Sequence, residues 1–161
     1  MSNVFIERDG EIIIEHGQIL YRNFSGIGSQ YNREGDRNFN VIIDDPEIAQ
    51  RLQEEGWNVK CRVPRDPDDS PTHHLKVNVN FGSRRPPEIY IHTGSNIRTL
   101  NEETVKELDH MDIVDCSMII TPYHYKGNSG DGISGYLKSL RVVIREDRLA
   151  HIYDDLENEV A

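Results

Sequence analysis

Apolar residues return at every second position through most of the chain. WNVKCRV, residues 57–63, sets Trp57, Val59, Cys61 and Val63 on one face and Asn58, Lys60 and Arg62 on the other. LKVNVNF (75–81) repeats the pattern, with Leu75, Val77, Val79 and Phe81 inward and Lys76, Asn78 and Asn80 outward. EIYIH (88–92) turns Ile89 and Ile91 inward, Tyr90 and His92 outward. A period of two marks half-buried strands. EIIIE (11–15) and QILYRNF (18–24) read as one strand, or as a hairpin broken near Gly17. FNVII (39–43), IVDCSMIITPYHYK (113–126) and ISGYLKSLRVVI (133–144) complete the set, the last two joined by the glycine-rich GNSGDG.

Two segments change period. In DDPEIAQRLQEEG, Asp45 is placed to cap a helix, Pro46 fits its first position, Ile48 and Leu52 share a face, and Gly56 ends it. A second short helix is expected over about residues 100–111, with Thr99 and Glu102 in capping-box spacing. PRDPDDSPTHH (64–74) carries three prolines and reads as a long loop. SRRPP (83–87) is a turn. Many short strands, two short helices and glycine-rich turns predict a mainly β, single-domain barrel or sandwich.

An alternating strand says little until its polar face is read. Here the outward positions are Asn58, Lys60, Arg62, Lys76, Asn78, Asn80, Tyr90, His92, Tyr136 and Lys138, with only Glu88 as an acid, at a strand start. Yet the chain of 161 residues has 28 acids against 18 lysines and arginines, a net charge of −10. Residues 146–161 hold six of those acids and one arginine, leaving 22 acids and 17 bases in residues 1–145. That acidic end reads equally as an interaction tail or as an amphipathic helix with a solvated face. A basic, amide-rich and aromatic sheet face suits single-stranded nucleic acid: cations neutralise phosphates and rings stack on bases. Tyr31, Arg33, Arg37 and Phe39 would border such a groove, with Arg84 and Arg85 in a turn suited to phosphate contact. Taken singly, Trp57 is expected in the core, and Phe24, Phe39 and Phe81 are more often core than ligand-facing.

Other chemistry is not legible. Gly26 and Gly28 have the spacing of a dinucleotide loop, but no helical face follows them, so turns are expected instead. Asp66, Asp68 and Asp69 read as a solvated turn; His73 and His74 are adjacent and point apart on an extended chain. Ser134 lacks the nucleophile-elbow pattern, and Cys116 lies in an apolar strand where thiols are inert. Cys61 and Cys116 are read as two buried reduced thiols. No enzyme activity, metal or cofactor is expected. No apolar run approaches the roughly 18 residues of a membrane span, and the N-terminus lacks a signal peptide's pattern, so a cytoplasmic protein is expected.

The order NFSG…QYNREGDRNFNVIID, a helix ending in EEGWNVK, LKVNVNF, a late SGYLKSLRVVI and an acidic end resembles the single-stranded DNA-binding proteins of tailed bacteriophages, over roughly residues 20–145. The resemblance implies an OB-like barrel with an acidic C-terminal tail (residues 146–161). It implies a protein that coats single-stranded DNA in the host cytoplasm during phage replication or recombination, without cofactor. Its matched positions are Tyr31, Arg33, Arg37 and Phe39, then Lys60, then Tyr136 and Lys138. It also implies replication or recombination proteins as partners of the acidic end, although Glu159-Val160-Ala161 lacks the terminal aromatic residue common in such tails. A homo-oligomer is compatible with this reading. The rival readings are a phage protein-interaction module that binds a host or replication factor through its acidic surface and, more weakly, a small-ligand-binding or metal-dependent hydrolytic domain using the Asp66–His74 loop.

Overall fold

The computed structural model describes residues 3–128 and 130–145. In chain order these form β1 (Val4–Ile6), β2 (Ile12–Gly17), β3 (Ile19–Asn23), β4 (Arg37–Ile43), α1 (Pro46–Glu55), β5 (Val59–Arg62), β6 (Thr72–Val79), β7 (Glu88–Thr93), β8 (Asn96–Leu100), a 3-10 helix (Val105–Asp109), β9 (Ile113–Gly127) and β10 (Gly130–Ile144). The strands make one sheet. Five runs within it close on themselves. β2 pairs with β9, β9 with β10, β4 with β6 and β3 with β4, all antiparallel, while β6 runs parallel to β10 at Val77–Gly135 and Asn78–Tyr136. Only Gln18 separates β2 from β3, so this one bent run joins both ends of the sheet. The closed order, with its third and fifth runs parallel, is an OB-like Greek-key barrel.

The bend explains the ambiguity near Gly17: 11–24 is a single bent run, whose halves pair with different neighbours. His16 takes a left-handed φ of 51°, and a Cβ on Gly17 would stand 3.0 Å from Ile14 Cγ2. Only glycine fits there without displacing the core. Alternate residues of the barrel strands meet inside. Phe24 and Phe39 stack with ring centroids 5.2 Å apart, among Ile12, Val41, Val77 and Leu140, all fully buried. Each such side chain contributes roughly 1.5–3 kcal/mol by leaving water.

α1 forms as its sequence requires. The Asp45 carboxylate accepts from Glu47 N at 3.0 Å, Pro46 begins the helix, and Gly56 ends it at φ 103°. Ala49 and Leu52 are its buried face. The Gly56 carbonyl then accepts from Ile133 N at 2.8 Å, so the helix end is stitched to β10, and Trp57 is buried beside it as expected.

Several expectations need correction. The second helix is only the 3-10 turn Val105–Asp109. Thr99 lies in β8, and the turn is led by Thr104 without a side-chain cap bond; Asn101 closes the preceding turn, its Oδ1 accepting from Glu103 N and Thr104 N at 2.9 and 3.0 Å. Val105 and Leu108 are the buried residues of that turn, too few to hold a longer helix against the barrel. β8 was hidden by Gly94-Ser95, a two-residue hairpin turn with Gly94 at φ 59°. The glycine-rich GNSGDG joins the last two strands as expected, and the ladder reaches into it, with Gly127 opposite Gly130 and Gly132 opposite Tyr125. The 64–74 loop ends early, with Thr72, His73 and His74 already in β6. Cys61 and Val63 are exposed, since β5 runs past the edge of the core after Val59. Cys116 is buried, and burial pushes its thiol up to about 12.

Candidate nucleic-acid interface

Cross-strand partners share a face, so register alone assembles the outer surface. Asn38 lies opposite Asn78, Asn40 opposite Lys76, and Lys60 opposite His74. Tyr136 stands beside Asn78 across the parallel pair. The outward positions of β4, β5 and β6 therefore bring together amides, one imidazole and the cations Lys60, Arg62 and Lys76. None of these three cations has a carboxylate partner among the described residues. His74 is only 8% exposed, and its Nδ1 lies 2.8 Å from Asn40 Oδ1. Burial lowers its pKa first, and Lys60, Arg62 and His73 lower it further. The imidazole is thus held neutral, with Nδ1–H donating to the amide oxygen.

The 24–36 connection leads from β3 into this face and has no helix in it. Gly26 and Gly35 lie back to back, with Gly35 N donating to Gly26 O at 2.8 Å, and both have positive φ. A Cβ on Gly26 would meet the Gly35 backbone at 3.1 Å. Asn32 Nδ2 donates to the carbonyls of Ile27, Arg33 and Asp36, at 2.9, 3.1 and 3.0 Å. At the loop's base, the Asp109 carboxylate accepts from Phe24 N and Ser25 N at 2.7 and 3.0 Å. These bonds fix the loop and leave Tyr31, 89% exposed, and Arg33 at its tip.

A cleft of about 450 Å³ lies between this loop and β6, lined by Arg37, Asn80, Phe81 and Tyr136. Asn80 and Tyr136 are shared with a second cleft of about 610 Å³ that includes Arg84, Arg85, Tyr123, Lys138 and Glu11. Tyr123 and Tyr136 meet edge to face at 5.9 Å. Tyr125 lies opposite Gly132 on the same hairpin, its ring filling the space a Cβ there would need.

The expected site residues divide. Tyr31 and Arg33 lie on the 24–36 loop, Lys60, Arg62 and Lys76 on β5 and β6, and Tyr136 lines both clefts. Phe39 is fully buried against Phe24, because its register opposite Val77 points it inward. Arg37 lines the cleft, but it is engaged. Its Nε donates to Phe24 O at 3.1 Å, its guanidinium lies 3.6 Å from the Glu102 carboxylate, and it stacks over Phe81 at 5.6 Å. Lys138 likewise donates to both oxygens of Glu11 at 3.1 Å. Tyr90 is elsewhere. It pairs with Arg141, five positions along β10 from Tyr136 or about 16 Å at the usual strand rise, and Arg141 lies over its ring at 5.0 Å. Tyr123 and Tyr125 were missed although their signal was present: Thr121, Tyr123 and Tyr125 alternate, and Tyr136 lies opposite Thr121. Tyr21, 55% exposed with its ring 5.7 Å from that of His74, was also missed. Among the described residues no group of three potential ligands could hold a metal ion, and Asp66 makes a plain turn by accepting from Asp68 N at 3.0 Å. No described helix is long and apolar enough to cross a membrane. The acidic residues 146–161 lie outside the described residues.

A family model described as "Putative phage ssDNA-binding domain" matches residues 1–160. The chain belongs to this family. No curated protein matches it. Among solved structures, the chain is similar to the single-stranded DNA-binding protein from bacteriophage Enc34 in complex with ssDNA, with a TM-score of 0.58 and 14% identity, covering 91% of this chain and 92% of that one. A further structure of the single-stranded DNA-binding protein from bacteriophage Enc34 gives a TM-score of 0.56 at 14% identity, covering 91% and 87%. Its C-terminally truncated form gives 0.56 at 13% identity, covering 91% and 92%. At such identities these likenesses speak for the fold, and they agree with the barrel closure read from strand pairing.

Proposed function

We propose that this family member binds single-stranded DNA along the outer face of β4, β5 and β6, between the 24–36 loop and the β9–β10 hairpin. The observation that carries the reading is the cation set Lys60, Arg62 and Lys76, without a carboxylate partner among the described residues, on one strand face in a chain of net charge −10. In OB-folds the second and third strands and the loops flanking the barrel receive oligonucleotides; here these are β4, β6, the 24–36 loop and the hairpin. Phosphates would lie along the cations, and bases would stack on Tyr136, Tyr123 and Tyr31. Such contacts favour no particular base, so binding is largely independent of sequence. The role is binding rather than catalysis. It fits coating and protection of single strands during phage replication or recombination, in the cytoplasm of the host.

The test is fluorescence anisotropy of a labelled oligothymidine with the full chain at two salt concentrations. Binding that weakens steeply with salt is expected, since each neutralised phosphate contributes a slope of about −0.7 for single strands. Absence of binding, with folding verified by circular dichroism, would transfer the assignment to a protein-interaction module using the acidic surface.

A further inference from the structure

The rings assigned so far line the cleft and its loops; the opposite end of the β4–β6 face carries one more. We propose that Tyr21 is a second base-stacking station, presented over this face by a strained backbone beside Lys60, Arg62 and Lys76. This rests on the single-stranded DNA reading and extends it.

Three observations converge on Tyr21. First, its φ is 51°, a left-handed conformation that is a genuine outlier for a bulky side chain. It arises because the three steps from Leu20 to Asn23 oppose only the two from Asn40 to Asn38, a bulge in β3. Glycine or asparagine would take that conformation at less cost. Secondly, the strain is not offset by burial. The side chain is 55% exposed and touches the His74 ring only edge-on, at 5.7 Å and 68°. Packing therefore gives little reason for an aromatic residue here. Thirdly, its surroundings fit a ligand of alternating base and phosphate. His74 is the cross-strand partner of Lys60, and Lys76 lies opposite Asn40, which holds His74 in place.

The bulge is anchored from behind. Arg22, the next residue, donates to Leu108 O and Met111 O at 2.8 and 2.7 Å, which ties β3 to the end of the 3-10 helix and the segment after it. Arg22 is thereby turned inward and Tyr21 outward. From His74, beneath Tyr21, to Asn78, beside Tyr136, is four residues of β6, about 13 Å at the usual rise. Lys76 lies midway. The two stations thus flank a cation, as a strand threaded along β6 would require.

The experiment compares Tyr21→Asn, Tyr21→Phe and Tyr123→Ala with the unmodified full chain, by oligothymidine anisotropy and thermal unfolding. Tyr21→Asn should weaken binding roughly 5- to 150-fold, the range for loss of one stacked base, with Tm unchanged or raised because asparagine tolerates the left-handed backbone. Tyr21→Phe should bind within about twofold of the unmodified protein, since stacking needs only the ring. Photo-crosslinking to a bromodeoxyuridine oligonucleotide should label the peptide containing Tyr21. Full affinity in Tyr21→Asn, or crosslinks confined to the Tyr123 and Tyr136 peptides, would overturn the station while leaving the DNA reading intact. If the unmodified chain does not bind, the DNA reading fails, and the station with it.

Discussion

The β5–β6 face and the cleft beside Tyr136 are both basic on paper, and the structure treats their charges in opposite ways. On the face, Lys60, Arg62 and Lys76 have no carboxylate partner among the described residues, and Lys60 and Arg62 disfavour protonation of His74. In the cleft, Lys138 is held by Glu11, which also accepts from Thr121 Oγ1 at 3.0 Å, and Arg37 is held by Glu102 and Phe24 O. A count of cations would rate the two regions alike. Availability separates them: the face offers three uncommitted cations, whereas the cleft offers rings, with Lys138 and Arg37 committed and Arg84 and Arg85 at its edge, so bases should be read mainly in the cleft and phosphates mainly along the face.

The largest effect should come from emptying the face. Replacing Lys60, Arg62 and Lys76 together by alanine should reduce the magnitude of the salt slope by about 2 and weaken low-salt binding on the order of 100-fold. All three sit on the outer surface, so the unfolding midpoint should hardly move. Anisotropy titrations at four salt concentrations read both quantities. An unchanged slope would mean that the face does not meet phosphates. Removing rings from the cleft should behave differently. Tyr123→Ala with Tyr136→Ala should lose about 1–3 kcal/mol per stacked base while leaving the slope as it was. A slope that fell in step with affinity would erase the division of labour between the two regions.

Much of this division can be seen in the chain before it folds, and the boundary of what can be seen has a physical cause. Strand period fixes which residues share a face, so Lys60, Arg62 and Lys76 were legible, as was the α1 cap at Asp45. Period says nothing of what comes to rest beside a residue from far along the chain. Glu11 and Lys138 are 127 residues apart, and only the β2–β9–β10 pairing makes them an ion pair. Phe39 shows the converse limit. A motif placed it with Arg37 at the groove, yet alternation within RNFNVII already set it on the opposite face from Asn38 and Asn40. Tyr21 was hidden because a bulge breaks the period at that residue.

The Glu11 pair gives a smaller effect, of opposite sign. Glu11→Gln should release Lys138 and strengthen oligothymidine binding several-fold, with a steeper salt slope by up to about 0.7. The stability cost should be slight, because Lys138 is half exposed and such pairs contribute about 0–1 kcal/mol. The comparison sharpens in a double-mutant cycle. Lys138→Ala should matter little when Glu11 is present and distinctly more in the Glu11→Gln background. Equal losses in both backgrounds would show that Glu11 does not restrain the lysine.

The smallest effect is a proton. His74 has a folded pKa below its ordinary value, so near pH 6 the unfolded chain binds more protons there than the folded one. Its contribution to stability is therefore fully present above the unfolded value near 6.5 and is lost as pH falls through that value toward the folded one. Bound phosphates would screen Lys60 and Arg62, two of the groups that hold the pKa down, and move it upward. DNA binding should then be accompanied by proton uptake at His74, and affinity should rise modestly between pH 8 and pH 6. The groups facing it are Asn40, Tyr21, Lys60, Arg62 and the adjacent His73, so no carboxylate is among the causes of the shift. His16, on β2, supplies an internal contrast. It is raised by its bond to Asp115, and its stabilising contribution is lost as pH rises through its folded value. An NMR titration of the imidazole signals, with and without oligothymidine, distinguishes the two. A DNA-dependent shift at His74 and none at His16 would place the phosphates on the β5–β6 face; shifts at both, or at His16 alone, would put them elsewhere.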